Sequence, residues 1–241
     1  MERQMIDIYC HLVPGVDDGV SNMDIAMDML RLSAEQGITG VFATPHSSAL
    51  DLWAGEAGER FRRLQAQARQ VFLDMALYSG CEIYCEAQRM DAVIAALKAG
   101  KYPSMNDTKY VLTEFSPWVK PEEAKSCAQA LLDNGWRPIV AHTERYESLR
   151  GLPEMTDQFR GMGCLIQINA YSVVEESNAA IRQWARHLLE WKQVDFLGTD
   201  THRTYHRPPS AKMGLRWLYE NCERDYANAI ACGNAQRLLM K

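Results

Sequence analysis

Four of the six histidines share one kind of position, directly after a short apolar run that is typical of a buried strand. They are His11, His46, His142 and His202. Carboxylates recur at the same level of the chain, at Asp18, Glu82, Glu114 and Asp200. Neutral imidazoles and carboxylates together suit zinc, manganese or iron, and carboxylates can bridge neighbouring ions. Such a centre is typical of phosphoester hydrolysis, because the ions activate water and neutralise charge on the phosphate.

A single histidine at a strand end is more often a hydrogen-bonded structural residue than a ligand. A whole set of histidines and acids reverses this expectation, since burying so many polar groups requires a metal or a network of ion pairs. The two remaining histidines do not share the pattern. We expect His187 to be a surface or hydrogen-bonded residue of a helix, and His206 lies in the turn-rich loop 201–209 without a strand directly before it.

The elements that position these residues are seven short apolar runs that read as strands. They are Met5–Cys10, Val41–Thr44, Leu77–Ile83, Tyr110–Phe115, Pro138–Ala141, Leu165–Ile168 and Val194–Leu197. Between them, apolar residues recur every three or four positions, as in Met23–Gln36, Gly58–Leu73, Pro121–Asn134 and Asn178–Trp191. This alternation predicts an α/β fold with a parallel sheet, whose functional residues gather at the carboxyl ends of the strands.

Composition narrows the classes of protein that remain. A length of 241 residues with 47% hydrophobic content predicts one domain over residues 1–241. A net charge of −5 argues against a nucleic-acid partner. We find no signal-peptide pattern and no apolar stretch of about 18 residues, which predicts a cytoplasmic protein without a transmembrane segment.

Cysteine chemistry is not indicated. The seven cysteines are odd in number and form no C-x-x-C pair, so we expect reduced thiols and neither a disulfide framework nor a structural zinc finger. No cysteine is followed by an arginine six positions later, which excludes the Cys-x5-Arg cradle of the cysteine phosphatases.

Sequence blocks along nearly the whole chain resemble those of a known family. The blocks are Met5–His11, Pro14–Gly19, Ala43–His46, Gly80–Ile83, Thr113–Ser116, Ala141–Arg145, Thr199–His202 and Arg207–Pro209. In this order they resemble the polymerase and histidinol phosphatase (PHP) superfamily. More narrowly, they are similar to the manganese-dependent tyrosine phosphatases encoded with bacterial capsule and exopolysaccharide biosynthesis.

The resemblance implies a fold, a metal centre and an activity. The fold is a distorted, TIM-like (β/α)7 barrel of the PHP type. Two or three divalent ions, with manganese preferred and iron or zinc as alternatives, would be surrounded by His11, Asp18, His46, Glu82, Glu114, His142, Asp200 and His202. Glu82 matches a bridging carboxylate. Asp17 is an alternative to Asp18, which fits the pattern better.

The resemblance also implies the substrate and the groups that bind it. Arg145 and Arg207 match phosphate-binding arginines, and planar bidentate donors suit that role. The substrate would be a phosphotyrosine protein, namely the tail of a bacterial tyrosine kinase of polysaccharide assembly. Metal-activated hydroxide would attack phosphorus directly. The oligomeric state stays open.

One position departs from the family pattern, which begins with His-x-His where this chain has Tyr9-Cys10-His11. Residues two apart on a strand share a face, so Tyr9 is expected to point with His11 toward the metal centre. Its phenol would ligate only after losing a proton, and a strand tyrosine that merely packs is the commoner outcome. Three functions therefore remain open: a tyrosine phosphatase, a small-molecule phosphatase such as one acting on histidinol phosphate, and a phosphotyrosine-binding protein with weakened turnover.

Overall fold

The fold is known from a computed structural model that describes residues 4–49, 53–72, 74–205 and 207–240. The strands are β1 (Met5–Cys10), β2 (Ile38–Ala43), β3 (Ala76–Ser79), β4 (Glu82–Tyr84), β5 (Tyr110–Glu114), β6 (Arg137–Val140), β7 (Leu165–Asn169) and β8 (Phe196–Gly198). The α-helices are α1 (Met23–Glu35), α2 (Gly58–Val71), α3 (Met90–Lys98), α4 (Pro121–Asp133), α5 (Pro153–Met162), α6 (Ala179–Glu190), α7 (Ala211–Asn221) and α8 (Arg224–Asn228).

The strands pair in parallel and in chain order. One sheet has the order β1-β2-β3 and the other β4-β5-β6-β7-β8. A parallel bridge between His46 and Glu82 joins the two sheets, and a second bridge between Cys10 and Thr201 places the end of β8 beside β1. The predicted α/β class with a parallel sheet is therefore confirmed.

The third predicted strand is interrupted. The sequence predicts a continuous strand over Leu77–Ile83, but β3 ends at Ser79 and β4 begins at Glu82. At Gly80 between them, an added Cβ would lie 2.9 Å from both Thr44 and Met105 side-chain atoms, so the chain passes where only glycine fits. Because of this break, β3 pairs with β2, and β4 pairs with β5.

Local signals predict the helix boundaries well. Asn22 caps α1 by accepting a hydrogen bond from the amide of Ile25 at 3.0 Å, and Gly37 follows the helix with a φ of 86°. Pro121 occupies the first turn of α4, as predicted. Helix α2 ends at Val71, and Leu73, the end that the sequence predicts, lies outside the described residues.

The apolar core lies between the helices and the strands and also among the strands themselves. One buried cluster joins Phe42, Leu112, Ile139 and Phe196 from four strands with Leu238 near the carboxyl terminus. In the described ranges, no helix combines the length and apolar character that a membrane crossing requires. Burial of these side chains leaves the opposite, carboxyl ends of the strands for polar residues.

A buried aspartate links the first strand to the last. The carboxylate of Asp7 accepts hydrogen bonds from the amides of Tyr9 (3.1 Å) and Thr199 (2.9 Å) and from the hydroxyl of Thr199 (2.5 Å). Burial raises the pKa of Asp7 to about 7 despite these hydrogen bonds, and the nearby charge of Asp200 acts in the same direction. The sequence analysis did not single out Asp7, although it alternates with Tyr9 and His11 on one face of β1.

Asp7 predicts a pH dependence of stability. Because its folded pKa lies above its unfolded value, the folded state binds the extra proton, and this stabilisation is lost as pH rises from about 4 to about 7. The variant Asp7→Asn lacks this titrating group. In chelator, its free energy of unfolding minus that of the wild type should therefore increase as pH rises across this window, by about 4 kcal/mol at most. Urea titrations at several pH values measure the difference. Asp24→Asn on the exposed side of α1 is the control, and a difference independent of pH would contradict the assignment.

Candidate metal centre

The structure brings all eight predicted ligand residues to one end of the strands. His11 and Asp18 follow β1, His46 follows β2, Glu82 begins β4, Glu114 ends β5, His142 follows β6, and Asp200 and His202 follow β8. Two overlapping groups offer ligand atoms within 4.8 Å of one another: His11, Asp18, His46 and His202, and His46, Glu82 and Glu114. His142 and Asp200 contact these groups directly.

Asp18 lies at the outer side of the cluster. Its Oδ1 is 3.4 Å from Nε2 of His46 and 3.5 Å from Nε2 of His202, and 61% of its side chain is exposed. These separations are too long for good hydrogen bonds, but they suit donors arranged around a shared cation. The geometry thus supports Asp18 over Asp17 as the ligand candidate.

Glu82 lies at the centre and is wholly buried. Its Oε2 is 2.7 Å from Nδ1 of His46 and 3.5 Å from Nε2 of His11. Its Oε1 is 3.3 Å from Nε2 of His142 and accepts a hydrogen bond from the phenol of Tyr9. A carboxylate that faces three imidazoles through both oxygens has the geometry of a bridging ligand.

Asp17 fixes the orientation of His11. Its carboxylate contacts Nδ1 of His11 at 2.7 Å and accepts hydrogen bonds from the amides of Gly19 and His46, both at 3.0 Å. Burial alone would raise the pKa of Asp17, but His11 and these amides outweigh it and lower the pKa to about 2. The carboxylate therefore directs Nε2 of His11 into the cluster, the arrangement typical of metal-ligating histidines.

Several buried polar atoms in the cluster have no hydrogen-bond partner in the described part of the chain and are therefore candidate metal ligands. Within the described residues, Nε2 of His11, Oδ1 of Asp200 and Nε2 of His202 have no hydrogen-bond partner. The first two face each other at 3.6 Å. Since buried polar groups are normally paired, these convergent atoms fit the donor set of divalent ions.

The charge of the cluster also calls for cations. Burial would lower the pKa of His11, but Asp17, Asp200 and Glu82 raise it to about 10. Glu114 and Glu82 likewise raise the pKa of His142 to about 10 against the effect of burial. The carboxylates thus attract positive charge strongly, and divalent ions can supply it while the imidazoles stay neutral.

Tyr9 lies among the ligand candidates, as its spacing from His11 predicts. The centroid of its ring is 5.5 Å from that of His11 and 5.7 Å from that of His142. Burial, together with the charges of Asp200 and Glu82, raises the pKa of Tyr9 well above its ordinary value. The phenol therefore keeps its proton and donates a hydrogen bond to Glu82. It does not offer a lone pair to a metal ion, as the imidazole of a histidine would.

Asp200 joins the cluster to the two predicted phosphate-binding arginines. Its Oδ2 is 2.6 Å from Nη1 of Arg145 and 3.3 Å from Nη1 of Arg207, while its Oδ1 faces His11. His142, Asp200 and Arg207 have left-handed backbones, with φ of 30°, 53° and 52°. Such conformations are costly for non-glycine residues and concentrate at functional sites, where the fold imposes them.

A cavity of about 460 Å³ opens on the arginine side of Asp200. Arg145, Arg207 and Thr199 line it beside Asp200, and Tyr171 and Ile181 line it as well. Each guanidinium has five N–H donors and uses few on Asp200, so donors remain for an anion. The arrangement allows a phosphate to contact the cluster and both arginines together.

Sequence reasoning missed the polar network beneath the site. Gln167 accepts a hydrogen bond from the amide of His142, and its amide group donates to Asn169 at 3.0 Å. Asn169 in turn donates to Asp200 at 3.4 Å, and its own amide donates to the buried Glu144 at 3.0 Å. The available signal was the polar alternation Gln167 and Asn169 within the apolar strand β7.

The remaining histidines stay outside the cluster as far as the structure describes them. His187 lies on α6, 3.2 Å from Glu190 and stacked on Trp191 with centroids 5.4 Å apart. Its predicted place on a helix is confirmed. His206 lies outside the described residues.

Comparisons with known proteins show which family the chain resembles. The sequence profile of the family described as capsular polysaccharide synthesis, CpsB/CapC, matches residues 5–240. The tyrosine-protein phosphatase CpsB of Streptococcus agalactiae serotype III is 27% identical over 242 residues, which cover 98% of each chain.

Solved structures show the same fold. One belongs to the metal-dependent tyrosine phosphatases YwqE of Bacillus subtilis and CpsB of Streptococcus pneumoniae, with a TM-score of 0.84, 26% identity, and coverage of 98% of this chain and 94% of that one. The phosphotriesterase homology protein of Escherichia coli, solved with phosphate in its active site, has a TM-score of 0.65 at 9% identity and 99% coverage of both chains. This second likeness concerns the fold alone.

Tyr9→His should increase the number of tightly bound ions per chain. A neutral imidazole donates a lone pair near neutral pH, whereas the buried phenol of Tyr9 holds its proton. After dialysis against limiting manganese, elemental analysis should find more metal in Tyr9→His than in the wild type. Tyr9→Phe is the matched control, and its metal content should equal that of the wild type. Loss of ions from Tyr9→Phe would show instead that the phenol is a ligand.

Proposed function

The chain belongs to the capsular polysaccharide synthesis family CpsB/CapC, and on this basis we propose that it is a metal-dependent phosphatase that hydrolyses phosphotyrosine in a protein substrate. The observation that carries the proposal is the convergence of unpaired imidazole and carboxylate atoms beside two arginines. Ligands for cations and donors for an anion thereby meet at Asp200.

The eight cluster residues are the proposed ligands. Nitrogen and oxygen donors without thiolate suit manganese, iron or zinc, and we propose two or three ions per chain with manganese preferred. When bound, the ions supply Lewis acidity, which lowers the pKa of a water molecule and neutralises charge on the phosphate. Glu82 would contribute both carboxylate oxygens to the ions, and Asp17 holds His11 in the orientation that directs Nε2 inward.

The two arginines orient the phosphate. Arg145 and Arg207 are each anchored on Asp200, so their free donors are held at a fixed distance from the ligand cluster. Planar guanidinium groups match the oxygens of a phosphoryl group and stabilise charge that spreads over them during transfer. The arginines therefore act on the substrate and also hold the carboxylate of a ligand.

Activated water, rather than a side chain, is the proposed nucleophile. Burial and nearby carboxylates raise the pKa of the Cys10 thiol well above its ordinary value, and the same holds for Cys81. Such thiols are poor nucleophiles. Phenol has a pKa of about 10, so tyrosine is a better leaving group than an alcohol and needs less help from a general acid.

The proposed substrate is a phosphotyrosine segment of a bacterial tyrosine kinase that acts in polysaccharide assembly. Family membership supports the capsule context, and the relatives named above are tyrosine phosphatases. The cavity beside the arginines supports a substrate larger than phosphate itself.

One observation favours a second candidate, a phosphotyrosine-binding protein with weakened turnover. The phenol of Tyr9 donates to Glu82 where the family pattern has an imidazole ligand. If this replacement removes an essential ion, the arginines still bind phosphate while hydrolysis slows. Turnover measurements separate the two candidates.

The manganese-loaded protein should hydrolyse para-nitrophenyl phosphate and a phosphotyrosine peptide, prefer both to histidinol phosphate, and lose activity in chelator. His142→Ala should lose most activity and metal, because it removes a ligand candidate that contacts Glu82 and Glu114. His187→Ala should retain both. Tight peptide binding without turnover would support the binding protein instead, and a trapped phosphoenzyme would contradict attack by water.

Arg145→Ala and Arg207→Ala should each raise KM for the phosphopeptide by about 10- to 150-fold, as expected for a lost charged hydrogen bond of about 1.5–3 kcal/mol. Arg207→Ala should keep its metal, because Arg207 contacts Asp200 only at 3.3 Å. Arg145 contacts it at 2.6 Å, so Arg145→Ala should also bind metal more weakly. Titration calorimetry with manganese measures the metal affinity of both variants. Loss of ions from Arg207→Ala but not from Arg145→Ala would show that Arg207, and not Arg145, supports the metal-binding position of Asp200.

A further inference from the structure

The cavity beside Asp200 extends beyond what a phosphate requires. Its volume of about 460 Å³ falls in the range of pockets that bind small organic ligands. Its lining includes the two arginines that contact Asp200 and, from the segment that runs from β7 into α6, the ring of Tyr171 and the side chain of Ile181. A ligand with an anionic end and an apolar body therefore matches the distribution of charge along the cavity.

The segment between Tyr171 and Ile181 is held by several hydrogen bonds. The hydroxyl of Ser177 donates to the carbonyl of Val174 at 2.8 Å, and Arg182 donates to the carbonyls of Glu175 at 2.6 Å and Ser177 at 3.0 Å. Arg186 donates to the side chain of Glu175 at 2.6 Å. Because the loop between β7 and α6 is already ordered by these bonds, a ligand loses little affinity to ordering it.

The loops at this end of the strands also carry exposed aromatic side chains. Trp118 follows β5, Tyr171 follows β7 and Tyr205 follows β8, with exposed fractions of 69%, 40% and 79%. Trp118 is oriented by a hydrogen bond from its indole to Glu147 at 3.1 Å. Exposed tryptophan and tyrosine are enriched where proteins bind polypeptides.

We propose that Tyr171 and Ile181 form a subsite for an apolar or aromatic side chain next to the phosphotyrosine of a polypeptide substrate. The proposal rests on the proposed function and adds a determinant of substrate choice. With the phosphate on the arginines, a residue next to the phosphotyrosine comes within reach of the wall formed by Tyr171 and Ile181, because these side chains line the same cavity. A small phosphate ester has no group that reaches this wall.

The test compares two phosphotyrosine peptides that differ only in the flanking residues, leucine and phenylalanine in one and glycine in the other. For the manganese-loaded wild type, KM should be at least about fivefold lower for the apolar peptide, the size of a modest interface contact. In Tyr171→Ala and Ile181→Ser this ratio should fall toward one. The matched control is Trp191→Ala, which removes an exposed aromatic ring at the opposite end of α6 and should keep the wild-type ratio.

The outcomes separate the subsite from the function. Equal KM values of the wild type for the two peptides, with normal turnover of para-nitrophenyl phosphate, overturn the subsite alone. An unchanged ratio in both variants overturns it as well. Failure to hydrolyse any phosphate ester overturns the proposed function, and the subsite with it. Thermal unfolding of each variant verifies that the fold is intact.

Discussion

The buried carboxylate of Glu82 is the interaction on which the rest of the site depends. It lies just past the break between β3 and β4, where solvent cannot stabilise its charge. An ionised carboxylate in such a place is costly unless positive charge or hydrogen-bond donors surround it. Tyr9, His46 and His142 supply contacts from three other strands or the loops that follow them. The arrangement is stable only if those strands end at one level, so the chemistry of the site constrains the geometry of the fold.

The polar side chains of the strands meet that constraint in a second layer. Asp7 ties β1 to β8 and so holds Tyr9 and His11 beside Asp200, while Gln167 and Asn169 link the turn at His142 to the same aspartate. Each of these groups is buried and hydrogen-bonded, which favours one arrangement over alternatives. The ligand candidates are thereby positioned by hydrogen bonds to the rest of the fold, and the cost of ordering them falls on folding.

Coupling between the cation cluster and the anion donors follows from Asp200. One of its oxygens faces His11, and the other holds Arg145 and Arg207. Binding of metal ions at the cluster would therefore alter the affinity of the two arginines for phosphate, and by linkage phosphate would alter the metal affinity equally. The left-handed backbones of Asp200 and Arg207 show that the fold imposes this geometry against local preference. Tyr9 modifies the same cluster, because its hydroxyl donates a hydrogen bond to one oxygen of Glu82.

The sequence by itself determined the elements and the kinds of residue at the site. Apolar runs and helix caps are local signals, so β1, the start of α1 and the strand-end positions of His11 and His142 could be predicted before any distance was known. Resemblance extended this to the fold and family. Such signals are local, however, and the interruption at Gly80 results from packing against distant side chains.

Only the tertiary structure decided what each polar atom contacts. Asp17 and Asp18 are adjacent and chemically identical, yet one orients His11 from within while the other faces His46 and His202 from the exposed side. The family pattern favoured Asp18 as the ligand, but the sequence assigned no role to Asp17 and gave no sign of the cavity bounded by Tyr171. Both depend on distances between residues far apart in the chain, which are set when the strands pack side by side and the loops meet at one end.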